Sequence, residues 1–331
     1  MTKKKFTYNP ILETIDELWK GTPLDSRGRF VNEEFPFVPE FKKVWKWKTG
    51  RAPQALEKKN DTRRLTINDA SVFFDSDEDG IVWLGHASFY IRIAGISLLI
   101  DPVYHKLPFI KEFVETPNPL PKIRTLDYLL ISHDHRDHCD MKTVQQVGKL
   151  FPNVQVITGL KLDQLLKSWL PHHPIITSGW YQRAVDLPGL KIDYLPTRHW
   201  CRRFLTDTNK RLWGAFMIEL FGRRIYFGGD SGFGSHYKKL SELYTEIDIA
   251  ILGIGAYSPR WFMNASHMAP EEAVVAFQNT GAKLLMPMHY GKYDLSDEPP
   301  GEPRALITSE MDSAGLQDKL LLPHIGDVVL L

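Results

Sequence analysis

Short apolar runs recur along the chain from about residue 80 onward, and most are followed by glycine, proline or a charged residue. The runs at 98–100, 129–131 and 225–227 are too short for helices and rich in residues that favour strands. A segment of helical character at 270–277 lies between two such runs. The alternation of strand-like and helix-like segments predicts an α/β fold, and 331 residues are compatible with a single domain.

Residues 1 to about 75 have a different composition, rich in lysine, proline and aromatic residues, with little sheet-like alternation. We expect regular strands to begin near Ile81. The sequence therefore predicts one domain over 1–331, with 1–75 an N-terminal extension wrapped on it rather than an independent module.

Within the extension, the segment 35–48 interleaves aromatic rings with lysines. This pattern is typical of a membrane interface, where the ring and the charged tip contact different media. Each lysine near acidic headgroups contributes about 1 kcal/mol, so the segment is suited to reversible docking on a membrane surface. A helix packed on the core, with its lysines in water, explains the same pattern, and the sequence leaves both interpretations open.

Charge and hydropathy exclude several classes of protein. The net charge of +1 argues against a nucleic-acid-binding protein with a broad basic face. No apolar run approaches the roughly 18 residues of a spanning helix, and no apolar segment follows the basic N-terminus. We therefore expect a cytoplasmic protein or one peripheral on the inner face of a membrane. The cysteines, Cys139 and Cys201, are expected to be packed thiols rather than a disulfide.

A dense group of metal-ligand side chains follows the run at 129–131, in the pattern His133-x-His135-x-Asp137-His138. Alternate residues of an extended chain face the same way, so the first two histidines can point to one ion. Asp137 and His138, beyond a bend, can point to a second ion. Imidazole and carboxylate ligands without thiolate favour zinc, with manganese or iron as weaker options.

Further candidate ligands stand where predicted strands end: His199, Asp230 and His289. A single histidine in such a position is usually an ordinary core residue. Three candidate ligands that follow the motif in this order are better explained by one shared metal site than by coincidence. Gly228 and Gly229 allow the tight turn that would bring Asp230 close to a neighbouring group. Asp101, at the end of the run 98–100, is expected to hydrogen-bond a ligand histidine and fix its tautomer.

The motif is followed along the chain by His199, Asp230 and His289, and this order of ligands resembles that of the metallo-β-lactamase superfamily. Other stretches resemble one branch, the N-acylphosphatidylethanolamine-hydrolysing phospholipase D family: Trp83-Leu84-Gly85-His86-Ala87, 101–102, His199-Trp200-Cys201-Arg202-Arg203, 212–214 and 255–263. The similarity extends from about Gly28 to the C-terminus. It implies an αββα four-layer sandwich with a dinuclear metal site at one edge of the sheets. It also implies a zinc-dependent phosphodiesterase that cleaves N-acylphosphatidylethanolamine to N-acylethanolamine and phosphatidic acid.

The resemblance also implies roles for individual residues. His133, His135 and His199 would hold one zinc ion, Asp137, His138 and His289 a second, and Asp230 would bridge the two Zn²⁺. His267 matches a further catalytic histidine beside the metals. Arg136 departs from the family pattern, because vertebrate members carry an aromatic residue there, and this affects the expected lipid preference.

The substrate is expected to contact residues around the metals. Arginine suits phosphate oxygens, which makes Arg202, Arg203 and Arg260 candidates beside His267. An apolar wall would suit acyl chains, although ordinary core packing explains part of the same set. The set comprises Trp200, Trp213, Tyr257, Trp261, Phe262 and Met263.

Other functions on this fold remain as alternatives: hydrolysis of a lactone, a sugar-phosphate lactone or a cyclic phosphodiester. Flavodiiron redox chemistry is disfavoured because such proteins prefer a carboxylate at the position of His135. An RNA-processing nuclease would be expected to have a basic exosite. A non-enzymatic lipid-binding protein would tolerate the loss of metal ligands, yet all seven positions carry them. The expected partner is a phospholipid, and a homodimer is left open.

Overall fold

The computed structural model describes residues 5–37, 41–50 and 52–331. Residues 38–40 of the predicted interfacial segment therefore lie outside the described residues. The strands of the described chain are β1 (Lys5–Thr7), β2 (Thr22–Leu24), β3 (Gly80–Gly85), β4 (Ser88–Ile93), β5 (Ile96–Ile100), β6 (Tyr128–Ile131), β7 (Gln155–Gly159), β8 (Ile175–Ser178), β9 (Gln182–Leu187), β10 (Leu190–Leu195), β11 (Ala215–Leu220), β12 (Arg223–Phe227), β13 (Ile249–Gly253), β14 (Leu284–Met288) and β15 (Val328–Leu330).

The helices are α1 (Phe41–Thr49), α2 (Ala55–Asn60), α3 (Ser71–Asp75), α4 (Met141–Leu150), α5 (Asp163–Leu166), α6 (His236–Leu243), α7 (Arg260–Met263), α8 (Pro270–Thr280) and α9 (Glu302–Ser313). Two short 3₁₀ helices cover Leu120–Lys122 and Gln317–Lys319. None of the described helices is long and apolar enough to cross a bilayer.

Two sheets form the centre of the molecule. One has seven strands in the order β15-β3-β4-β5-β6-β7-β8, and the other has six in the order β14-β13-β12-β11-β10-β9. The main hydrophobic core joins side chains of both sheets, among them Phe89 and Phe227. A second core packs the seven-stranded sheet against helices through residues such as Val144 and Leu166. Helix α8 packs against β13 and against α6 and α9. The predicted αββα sandwich is confirmed.

The pairing of the strands explains where polar side chains collect. β5, β6, β7 and β8 pair in parallel, as do β12, β13 and β14. The carboxyl ends of parallel strands lie at the same edge of a sheet, and loops there carry binding groups. Asp101 follows β5, His133 follows β6 and His289 follows β14. The buried strands therefore bring candidate ligands from both sheets to one edge.

The N-terminal extension is tied to the rest of the chain by hydrogen bonds. The Asn9 side chain donates to the carbonyl of Thr177 over 2.8 Å, and the Ile15 amide donates to the carbonyl of Tyr181 over 2.8 Å. The amide of Asn68 donates to the carbonyl of Ile325 over 2.7 Å. These contacts support our proposal that 1–331 is a single domain on which 1–75 is wrapped.

Candidate metal centre

The first group of candidate ligands contains three histidines and one aspartate. His135 Nδ1 lies 3.0 Å from His133 Nε2 and 3.1 Å from His199 Nε2. Asp230 Oδ2 lies 3.8 Å from His133 Nε2 and 3.6 Å from His199 Nε2. One ion placed among these atoms would contact all four side chains.

The second group lies on the other side of Asp230. Asp137 Oδ2 is 3.7 Å from His138 Nε2 and 3.5 Å from His289 Nε2. Asp230 approaches the same two histidines, with Oδ2 at 3.2 Å from His138 Nε2 and Oδ1 at 3.1 Å from His289 Nε2. The Asp230 carboxylate thus faces both groups, which is the position required of a bridging ligand.

These distances fit metal coordination. Two ligand atoms at about 2.0–2.1 Å from a tetrahedral zinc ion are about 3.4 Å apart, and the spacings of both groups, 3.0–3.8 Å, lie around that value. His138 Nε2, His289 Nε2 and Asp230 Oδ1 are buried, and in the described part of the chain they approach one another without the angles of a regular hydrogen bond. Buried polar atoms are rarely left without partners, so their convergence indicates cation sites.

The protonation of the cluster follows from burial and charge. Burial holds the pKa values of His133 and His199 well below their ordinary values. Burial also opposes charge on His289, but the Asp230 and Asp137 carboxylates together outweigh it and raise the His289 pKa to about 9. Burial opposes ionisation of Asp230, yet His138 and His289 together bring the Asp230 pKa well below its usual range. Without a cation, the second group therefore carries protons that a metal ion would replace.

Asp101 supports the cluster from behind. Its side chain is fully buried, and Oδ2 lies 2.8 Å from His138 Nδ1. It also accepts a hydrogen bond from the Ser132 amide over 2.7 Å. Because Nδ1 of His138 donates to a carboxylate, Nε2 is the nitrogen that can act as a ligand once a metal ion displaces its proton.

His267 lies on the loop between α7 and α8, over the open side of the cluster. Its Nδ1 is 4.0 Å from Asp230 Oδ2, and its ring centroid is 5.3 Å from those of both His199 and His289. The side chain is 17% exposed, in contrast to the buried histidines beneath it. Its position beside both groups suits a residue that contacts substrate.

The arginines and the tyrosine predicted to contact substrate differ in the contacts that they make within the protein. The Arg260 guanidinium donates to Glu272 Oε2 over 2.6 Å and to the His267 carbonyl over 3.2 Å, and its role in binding phosphate stays a prediction. Arg203 donates to the carbonyls of Asp134 and Cys139 and is likewise engaged by the protein.

Arg136 and Arg202 remain exposed near the motif, and Arg202 lies over the Trp200 ring at 5.4 Å. The Tyr257 hydroxyl donates to the Glu302 carboxylate, and its role in binding substrate stays a prediction. Cys139 and Cys201 are free and buried.

The predicted apolar wall divides into two parts. Trp213 is 1% exposed and Met263 is 8% exposed, so both belong to the core. Trp200 lies beside the metal cluster, with its ring centroid 4.6 Å from that of His135, whereas Trp261 is 44% exposed. Phe262 stacks on Trp47 of α1 at 5.1 Å.

The N-terminal extension completes this wall. Phe37 stacks on Trp200 with ring centroids 4.5 Å apart, and Trp47 donates from Nε1 to Asp297 Oδ1 over 3.1 Å. Trp45, two residues before Trp47, is 63% exposed. The structure therefore separates the two tryptophans: Trp47 packs on the protein and Trp45 faces outward.

One residue of the centre was not assigned from the sequence. His86, in the turn between β3 and β4, lies with Nε2 3.0 Å from Asp137 Oδ2, and its ring is 4.0 Å from that of His289. It belongs to a group of potential ligands with Asp137, His138 and His289. The only signal in the sequence was its place in the stretch Trp83-Leu84-Gly85-His86-Ala87, where a histidine stands directly after a buried strand.

The fold and the paired histidine–aspartate groups define a metal-dependent hydrolase. Residues 97–290 match the beta-lactamase superfamily domain. The chain therefore belongs to the metallo-β-lactamase superfamily, in which its relatives include N-acylphosphatidylethanolamine-hydrolysing enzymes. It is 32% identical to N-acyl-phosphatidylethanolamine-hydrolyzing phospholipase D 1 of Caenorhabditis elegans over 250 residues, covering 70% of this chain and 69% of that protein.

A second relative and a solved structure agree with this assignment. The mitochondrial N-acyl-phosphatidylethanolamine-hydrolyzing phospholipase D of Saccharomyces cerevisiae is 27% identical over 74% of this chain, which spans about half (54%) of the yeast protein. A metallo hydrolase from the archaeon Ignicoccus hospitalis superposes with a TM-score of 0.59 at 22% identity, covering 76% of this chain and 98% of that one. At this identity the solved structure shows the fold alone.

Proposed function

We propose that the protein is a phospholipase D that hydrolyses N-acylphosphatidylethanolamine to N-acylethanolamine and phosphatidic acid, with two Zn²⁺ per chain. The observation that carries the proposal is the position of the Asp230 carboxylate, which faces two groups of histidines beneath His267, a histidine that is 17% exposed. The names of the relatives in worm and yeast support the lipid substrate.

The ligand set supports zinc and the number of ions. His133, His135 and His199 with one Asp230 oxygen form one four-residue group, and Asp137, His138 and His289 complete another around the same carboxylate. Nitrogen and carboxylate oxygen ligands without thiolate suit Zn²⁺. Two divalent ions held here would lower the pKa of a bound water and screen the charge of a phosphodiester.

The protein's own residues would orient the phosphodiester above the ions. Burial lowers the pKa of His267 to about 4, so its imidazole is neutral near pH 7 and carries one N–H. In our proposal this N–H donates to a phosphoryl oxygen, where charge develops during the reaction. The backbone of the His267 loop is held by Arg260, which donates to the His267 carbonyl and to Glu272.

The surroundings of the cluster favour a lipid over a small polar ester. Trp200 stands against His135, Phe37 covers Trp200, and Trp261 is partly exposed at the start of α7. Aromatic surface beside a phosphodiester site suits a ligand whose acyl chains need apolar contact.

We further propose that α1 docks reversibly on the phospholipid surface. Trp45 is 63% exposed, and the lysines of this helix, including Lys42 and Lys46, lie on the exposed part of the chain. α1 packs against α7, which carries Trp261, so a membrane bound by Trp45 would lie close to the metal-bearing edge. Trp and Lys side chains are suited to the boundary between headgroups and acyl chains.

The proposal is tested by metal analysis and turnover on the same preparation. We expect close to two zinc equivalents per chain, and conversion of N-acylphosphatidylethanolamine in mixed micelles to phosphatidic acid and N-acylethanolamine. Removal of metal by a chelator should abolish turnover, and zinc should restore it. Phosphatidylethanolamine without the N-acyl group serves as the matched control substrate.

A lactone and a cyclic phosphodiester are assayed in parallel, because other hydrolases of this fold act on such substrates. Faster turnover of either one than of the N-acylated lipid would refute the lipid assignment and leave the metal-dependent hydrolase in place. Release of diacylglycerol instead of phosphatidic acid would show that the other phosphoester bond is cleaved.

A further inference from the structure

His86 is a fully buried histidine whose side chain has no role in the chemistry described above. It is 2% exposed and lies in the turn that joins β3 to β4. Its backbone has φ 54°, a left-handed conformation that is uncommon for residues other than glycine. Such conformations persist where the surrounding contacts over-determine the backbone, and they cluster at functional sites.

The ring of His86 contacts one candidate ligand directly. Nε2 lies 3.0 Å from Asp137 Oδ2, which is a hydrogen-bond distance. An ionised carboxylate oxygen can only accept, so Nε2 carries the proton and donates it. The ring is also 4.8 Å from the Tyr293 ring in an edge contact and 4.0 Å from the His289 ring, which fixes its orientation.

The backbone of His86 holds a second ligand. Its carbonyl accepts a hydrogen bond from the His289 amide over 3.0 Å and another from Trp83 Nε1 over 2.9 Å. His289 itself has φ 64°. One turn therefore contacts both Asp137 and His289, the side chains that define the second metal position.

His86 differs from the other histidines of the centre in its distance from Asp230. Within the described chain, the five histidines that approach an Asp230 oxygen to 4.0 Å or less are His133, His138, His199, His267 and His289. Within the same limit of 4.0 Å, His86 contacts the carboxylate of Asp137 instead. His86 thus contacts Asp137 at Oδ2, the oxygen that also approaches His138 and His289, and makes no contact of this length with Asp230 in the described chain.

We propose that His86 is a positioning residue for the second metal position: its Nε2–H holds the Asp137 carboxylate in place while its carbonyl holds His289. This inference rests on the two-metal centre proposed above and not on the lipid substrate. Hydrogen-bond partners behind metal ligands typically change metal affinity by about 10- to 100-fold when they are removed.

The test compares two substitutions of similar size in the full-length protein. His86→Gln keeps a side-chain donor, whereas His86→Leu removes it. Each metal-free variant is titrated with zinc and with cobalt(II) against a competing chelator, and folding is checked by near-ultraviolet circular dichroism. We expect His86→Leu to bind the first equivalent as the wild type does and the second about 10- to 100-fold more weakly. His86→Gln should recover most of that loss.

The matched control is His105→Leu, since His105 Nδ1 lies 3.3 Å from Asp140 Oδ2 in a histidine–aspartate pair outside the metal groups. This variant should bind both equivalents as the wild type does. Unchanged second-site affinity in His86→Leu would overturn the proposal. Loss of the second ion in both His86 variants, with a changed cobalt spectrum, would identify His86 as a ligand and overturn it as well.

If His86→Leu does not fold, the test is the comparison of His86→Gln with the wild type. The proposal then requires the affinity of His86→Gln for the second ion to stay close to that of the wild type. Failure of the proposed two-zinc centre is recognised separately, because the wild-type protein would then bind fewer than two equivalents. Failure of the lipid assignment leaves these titrations unaffected.

Discussion

Replacing His267 by alanine should lower turnover while leaving both metal ions bound. The imidazole stands on the open side of the centre, 4.0 Å from Asp230 Oδ2, and its side chain is 17% exposed. The ligand atoms of both groups lie beneath it and come from other residues. Its removal should therefore take away a contact with substrate and not a contact that holds the ions.

The size of the effect follows from the type of interaction. Loss of one preorganised donor to a developing negative charge costs about 2–4 kcal/mol in the transition state. At about 1.36 kcal/mol for each factor of ten, kcat should fall by about 30-fold to about 1,000-fold. The burial that lowers the His267 pKa to about 4 keeps the imidazole neutral, so the full effect should be present near pH 7.

The assay measures release of N-acylethanolamine from lipid in mixed micelles, together with metal content of the same sample. His172→Ala is the matched control, because His172 is exposed on the loop before β8 and its replacement should leave turnover unchanged. His267→Gln, which keeps an N–H donor, should retain more activity than His267→Ala.

Two results would refute this reasoning. Wild-type turnover in His267→Ala would show that the side chain makes no contact that matters in the transition state. Loss of one zinc equivalent would show that His267 is a ligand. Its Nδ1 is close enough to Asp230 and His289 for this to be a real alternative, and the role of His289 would then have to be reassigned.

Three further predictions concern the metals and the membrane. Asp230→Asn removes the charge that faces both groups, so it should lose most activity together with zinc, and full activity with metal retained would exclude a bridging role. Zinc affinity should rise as the pH increases from about 6 towards about 9, because the metal must displace the proton of His289, whose pKa is raised to about 9; a flat titration profile would contradict this. Trp45→Ala should reduce activity on vesicles more than in detergent micelles, whereas Trp47→Ala should reduce both because Trp47 packs on Phe262; equal losses for Trp45→Ala would place it in structural packing.

Candidate ligands could be found in the sequence because they follow short apolar runs. Asp101, His133 and His289 each stand directly after a strand or one residue beyond it, and parallel pairing brings those strand ends to one edge. The rule that polar groups collect at the carboxyl ends of parallel strands depends on local pattern and topology alone. An α/β fold and the clustering of potential ligands were therefore accessible from the pattern, whereas the αββα arrangement and the assignment of ligands to two ions came from the resemblance to the family.

Side-chain contacts that depend on tertiary packing could not be predicted from the sequence in the same way. Arg260 was expected to bind phosphate, but it pairs with Glu272, twelve residues further on. Trp45 and Trp47 lie in the same pattern of aromatic residues and lysines, and the sequence does not distinguish them. Residues two apart on a helix, however, point about 200° from each other. Only the position of α1 against α7 decides which of the two rings packs on the protein and which faces outward.

The backbone at the metal-bearing edge indicates that the site is formed by the fold itself. Asp101, His86 and His289 all have left-handed φ values, of 42°, 54° and 64°. Each such residue costs about 1–3 kcal/mol, so other contacts must compensate. The Asp101 amide donates to the Leu130 carbonyl over 3.0 Å, and the His289 amide donates to the His86 carbonyl over 3.0 Å. These bonds hold Asp101 and His289 at the ends of their strands, where the two sheets place them beside the other candidate ligands.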